Sequence, residues 1–145
     1  MLLAFTLDGA IEEKKKKHDK ADLLRDLHFE LQEIRKNLTG RGNLFFPDIW
    51  ESAISSGQIR LLDSHQVRGL TSIYHNVKGS EYEAIRVRDL AEKIRLGKAK
   101  GQSDAYLKGS VSLWGKYSAI LIEREKKLST KIEDIFKEKW WNNIS

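Results

Sequence analysis

The chemistry open to this chain is bounded first by what its 145 residues lack. There is no cysteine, which removes disulfides, thiolate zinc sites, redox pairs and thiol nucleophiles together. Four histidines, His18, His28, His65 and His75, supply the groups that titrate near neutrality. None has a glutamate three residues before it, so the Glu-x-x-His pairs of a di-metal bundle are missing. The chain has no Gly-x-Ser-x-Gly elbow, no dinucleotide fingerprint and no His-Glu-x-x-His. Gly97-Lys-Ala-Lys-Gly101 is rich in the right residues for phosphate, yet it lacks the Gly-Lys-Ser/Thr ending and follows no strand. The residues therefore predict no catalytic site, no metal and no cofactor, and a non-enzymatic protein.

One spacing points the other way. Arg68 stands six intervening residues before His75, and Arg60 four before His65, a pattern that resembles the helical ribonucleases called HEPN domains. The resemblance implies that Arg68 holds a scissile phosphate while His75 assists in acid-base chemistry. The polar residue that usually follows the arginine is replaced by Gly69 and Leu61. With nine arginines and four histidines, chance alone supplies such pairs.

Two groups of residues could bind rather than react. Arg86, Arg88, Lys93, Arg95, Lys98 and Lys100 face only Asp89 and Glu92 over the same stretch, and would form a weak anion-binding patch. On a helical wheel Arg88 and Arg95 fall on one side of the apolar stripe and Arg86 and Lys93 on the other. Elsewhere charge is balanced locally, so nucleic acid is a disfavoured though open partner. The second group is apolar: Leu3 and Phe5 near one end, Trp140 and Trp141 near the other, with lysines beside both. Such a mixture suits a protein contact or a membrane interface equally.

The elements that must position these residues are helical. One proline in the whole chain favours long uninterrupted helices over a loop-rich or all-β fold. Ala21, Leu24, Leu27, Leu31, Ile34 and Leu38 alternate spacings of three and four, the stripe of a bundled helix. It should begin near Asp8 and stop before Gly40. Pro47 marks the start of a second helix and Gly57 its left-handed end. Asp63 with Gln66 has capping-box spacing, with Leu62 and Val67 as its staple, and opens a third helix that should reach Gly79. Ser80 with Glu83 repeats the signature and predicts a fourth helix ending at Gly97. A flexible-looking linker follows, and from Asp104 a seam through Leu107, Val111, Trp114, Ser118, Leu121, Glu125, Leu128, Ile132 and Ile135 predicts a last helix over about 50 Å long.

These spacings predict an all-α bundle, a single domain over 1–145, built on two long antiparallel helices with three shorter ones. Pairing the first helix with the last sets Leu38 near Leu107, brings both termini to one pole, and places Lys17 and Lys20 opposite Arg124 and Glu125. The seams also suit a homo-oligomer. Met1 to Leu7 is too short to span a bilayer and is followed by Asp8 and four lysines, unlike a secretory signal, so an intracellular protein, at most peripheral to a membrane, is expected.

The segment from Trp50 through Ser56-Gly57, Leu61-Leu62 and Asp63 to Leu70 and Ile73-Tyr74 resembles a group of prokaryotic helical proteins that share it. The resemblance covers about a quarter of the chain. It implies a common helical fold and a membrane neighbourhood, since many of the group carry a membrane helix ahead of the first long helix. It implies no activity. The combined expectation is a helical interaction or assembly module.

Overall fold

Every regular element among the described residues is helical. The computed structural model describes residues 2–41 and 43–142, with side chains between 8 and 141. In chain order the elements are α1 (Leu2–Lys36), α2 (Asp48–Ser56), a 3-10 turn (Gln58–Leu61), α3 (Ser64–Ala99), α4 (Asp104–Phe136) and the single turn α5 (Lys139–Asn142). The all-α bundle with antiparallel long helices is thus the architecture.

How the long helices are divided and paired differs from expectation. The helix expected to break at Gly79-Ser80 runs straight through, so α3 has 36 residues. Both small residues serve packing instead. A Cβ at Gly79 would lie 2.7 Å from Arg124 Nη1, and Ser80 is almost wholly buried, so glycine and serine here let another helix approach. Ser80 and Glu83 share the spacing of a capping box without being at a helix end. The linker contracts likewise: α3 continues to Ala99, Gly101 takes the left-handed φ of +77°, and Ser103 caps α4 by accepting from Tyr106 N at 3.2 Å. A tight helical hairpin results.

That hairpin is the principal pair. Gly69 lies by Ile135, Ser72 by Lys131, Gly79 by Arg124, Arg86 by Tyr117 and Gly97 by Leu107. Residue numbers climb along α3 at the rate at which they fall along α4, which defines an antiparallel pair in one register. Among the described residues α1 meets α4 through its C-terminal half, with His28 on Phe136 and Arg35 paired to Glu133. Leu38 is therefore far from Leu107, and the expected charged layer does not form. Lys17 is exposed, Glu125 accepts from Gly40 N, and the Arg124 guanidinium lies 3.9 Å from Glu83.

The core sits where three long helices overlap. Leu24, Leu27, Leu31 and Ile34 of α1 meet Leu70, Ile73 and Val77 of α3 and Leu128, Ile132 and Ile135 of α4. Trp50 and Ala53 of α2 close one side and Trp141 another. The capping box at Asp63 and Gln66 starts α3 as its spacing requires: Gln66 N donates to Asp63 Oδ1 at 2.9 Å and Asp63 N to Gln66 Oε1 at 3.1 Å. Gly57, at φ +81°, ends α2 by donating to Ile54 O. Pro47 has no side chain with which to cap α2. The acceptor comes from α1, where Glu30 takes hydrogen bonds from Ile49 N at 2.7 Å, Trp50 N at 3.2 Å and Tyr74 Oη at 2.6 Å. A carboxylate at a helix N-terminus meets free N–H groups and the positive end of the dipole.

Candidate interaction surface

Beyond the core, α3 and α4 continue with no other described element beside them. Leu44 of the loop before α2 packs on Ala84, Val87 and Leu121, and this small cluster is the last one toward the turn. At 1.5 Å per residue the two helices then project about 20 Å as a two-helix arm. Leu107 remains buried between them, and Gly97 makes this possible, since a Cβ there would lie 2.7 Å from Leu107 Cδ2.

The arm's surface carries exposed apolar side chains, as Phe29, Phe46 and Ile54 are exposed around the core, and a concentration of charge. Leu96, Tyr106, Val111, Leu113 and Trp114 are all exposed, Tyr106 by 72% and Trp114 by 41%. They fall on two sides: Leu96 and Tyr106 line a cleft with Lys93 and Lys100, whereas Val111 and Trp114 recur on the side of α4 that faces α1 lower down. Charge is concentrated there as well. Residues 85–120 hold eight basic and three acidic side chains, so the whole net charge of +5 lies in the arm and the remainder of the chain is neutral.

The six basic residues do not converge. Arg86 is taken up by aromatic neighbours: its Nη2 donates to Tyr117 Oη at 2.6 Å and its guanidinium lies 3.9 Å from the Tyr117 ring centroid. Arg95 is paired with Glu92 at 2.6 Å, an exposed pair that lowers the Glu92 pKa and raises that of Arg95. Arg88, Lys93, Lys98 and Lys100 are exposed. With the helix periodicity, Arg88, Arg95 and Lys98 follow Ala84 on the side toward α1, whereas Arg86, Lys93 and Lys100 lie on the opposite side.

The tryptophan pole is built differently from the sequence expectation. Trp141 is buried, with its ring 4.2 Å from that of Trp140 and edge-on to Phe136 and His28. α1 passes this level at His28 and continues past it, so its exposed stretch from Asp8 to His18 stands clear of the core. Leu3 and Phe5 belong to the start of α1 and their side chains lie outside the described residues. Sequence reasoning missed a cleft at the base of this overhang, lined by Lys16, Lys17 and Lys20 of α1 and by Arg60, Gly57 and Gln58 of the following turn, with a volume near 590 Å³. Its signal was the lysine run, but only the fold brings Arg60 to it.

Arg68 and His75 stand two turns apart on α3, about 10 Å along the axis, and both are exposed on one face of it. Among the described residues no group of three or more His, Asp and Glu could hold a metal ion, and no helix is long and apolar enough to cross a membrane. No family, no curated protein and no solved structure matches this chain.

Proposed function

We propose that the protein is a non-enzymatic interaction module whose docking element is the α3–α4 arm. The observation that supports this is the arm's uncovered apolar surface, with Val111 and Trp114 about as exposed as Leu96 and Leu113. A free-standing hairpin gains little from carrying these residues unless something covers them. Arm-to-arm self-association would bring two strongly basic surfaces together, which disfavours a homo-oligomer through this element. A photo-crosslinking residue at Val111, introduced in the cells of origin, tests the reading against the same residue at Thr71, which is exposed on the outside of the core. A discrete protein adduct from position 111 alone is expected. No adduct, or equal labelling from both positions, overturns it.

The basic cleft favours a second reading, peripheral attachment to an anionic membrane. Lys16, Lys17, Lys20 and Arg60, against the single acidic Glu13, line one open concavity beside the first helix, whose opening residues are apolar. Co-sedimentation with phosphatidylserine vesicles, reduced by Lys16→Glu with Lys20→Glu, is the expected outcome. Binding unaffected by these changes removes the reading.

A further inference from the structure

The arm's two faces are not equivalent, because one of them continues a surface that the core already uses. Within the core, α1 occupies the groove between α3 and α4, and the chain leaves that groove near Gly40. There Ile122 packs so closely that a Cβ on Gly40 would lie 3.1 Å from its Cγ1, and Gly40 N donates to Glu125. Leu44 covers the next step, on Ala84, Val87 and Leu121. Beyond Leu44 the groove goes on with no other element among the described residues packed into it.

The lining of this empty part follows from the periodicity. Ile122 recurs on α4 at Ser118, Gly115 and Val111, and Ala84 recurs on α3 at Arg88, Ala91, Arg95 and Lys98. Ala91, Val111 and Trp114 therefore make an apolar floor, and Arg88, Lys98 and Arg95, the last paired with Glu92, make an edge with a net positive charge. Gly115 stands at the other edge with nothing within 4 Å of where its Cβ would be.

We infer that this stretch of groove receives an acidic amphipathic helix from a partner protein, which completes the three-helix bundle out to the tip. The inference rests on the docking reading above and names the chemistry of its partner. A helix is the occupant because the same two helices, in the same register, already hold α1 a few turns away. Acidic flanks match the basic edge. A second copy does not fit: its own arm is basic, and the exposed overhang of its α1 sets Lys14 to Lys17 against Asp8, Glu12 and Glu13 and so offers no net acidic helix. Nucleic acid would engage the basic side chains of both faces alike and leave the apolar floor unused.

The test uses the full chain and two synthetic helical peptides of about five turns, both with leucine at the a and d positions, one with glutamate and one with lysine at e and g. Fluorescence anisotropy should show binding of the glutamate peptide only. Arg88→Glu with Arg95→Glu, and separately Trp114→Ser, should each weaken it at least tenfold, while Lys93→Glu with Lys100→Glu on the opposite face should change it less than twofold. Thermal melts of each variant confirm folding. Failure of the glutamate peptide to bind, equal binding of both peptides, or equal weakening by the opposite-face changes overturns the inference. So does tighter binding of a duplex DNA oligomer or of phosphatidylserine vesicles with the same dependence on Arg88 and Arg95. If the peptide fails while the Val111 crosslink to a protein persists, the acidic helix is wrong and the docking reading stands; loss of both removes both.

Discussion

The rings of Trp50 and Tyr74 lie face to face, 4.7 Å between centroids and 2° from parallel, while the Tyr74 hydroxyl reaches past the stack to donate to Glu30. One residue pair thereby ties α2 to α3, and the shared carboxylate ties both to α1. Burial pushes the Glu30 pKa up, against three hydrogen bonds that pull it down, and the same burial together with the nearby carboxylate pushes the Tyr74 hydroxyl well above its ordinary value.

Tyr74→Phe should therefore cost about 1.5–3 kcal/mol, the usual range for a hydrogen bond to a charged group. Glu30→Ala should cost more, about 3 kcal/mol, because it also uncaps α2 and leaves two backbone N–H groups and a hydroxyl without an acceptor. Urea denaturation of the two variants, with Tyr74→Phe the milder, is the check. Equal stability of all three proteins would refute the network's role.

Glycines at different places in the arm should respond with opposite signs. Gly97→Ala drives a methyl into Leu107, which is buried and has little room to yield, and should destabilise by about 1–2 kcal/mol despite the gain in helix propensity. Gly109→Ala meets nothing within 4 Å and should stabilise by about 0.5–1 kcal/mol. Melting temperatures measured side by side would show the contrast.

Two groups drawn into the fold give stability a pH dependence of opposite sense. The Glu125 carboxyl is raised above its ordinary 4.5 by burial, partly offset by Gly40 N. Its folded form holds a proton that the unfolded chain has already lost, so the wild type should gain stability relative to Glu125→Gln as the pH falls from neutral toward 4.5. His28 is lowered from 6.5 by burial. The unfolded chain takes up that proton first, so the wild type should lose stability relative to His28→Phe as the pH falls below about 6.5. Denaturant titrations of all three proteins between about pH 4.5 and 7.5 separate the two, and parallel curves would contradict both.

The arm should open more readily than the core. Its inner cluster has only Ala84, Val87 and Leu121, and at its root Ser80 Oγ, Glu83 Oε2, Ser118 Oγ and Glu125 Oε1 are buried without a hydrogen-bond partner within the described residues. Amides of residues 88–118 should exchange roughly tenfold or more faster than those of 70–77 and 128–135. Uniform protection along both helices would argue that the arm is part of the core unit.

How much of this is written in the residues varies from element to element. The Asp63 and Gln66 cap, the Gly57 stop and the α1 stripe are legible because each depends on neighbours within one or two turns. The pairing of α4 is not. Its seam specifies a face, and α1 and α3 both offer a matching one; only the small residues Gly79 and Gly97, which admit Arg124 and Leu107, decide for α3. The same glycines read locally as stops, which hides the length of α3. Glu30 reads as an ordinary charged position beside the stripe, although Pro47, with no capping side chain, requires an acceptor from elsewhere. The arm is invisible for a related reason: Val111 and Trp114 continue the seam, and nothing in their spacing tells that the third helix has already left.

Placing all the net charge on a projection at one end makes the molecule a long electric dipole. In the field of an anionic body it turns before it touches, and meets that body tip first. On the docking reading proposed above, added salt should slow the arrival of an acidic partner far more than it hastens its departure, so that ionic strength would set how often the two meet and the apolar floor how long they stay together.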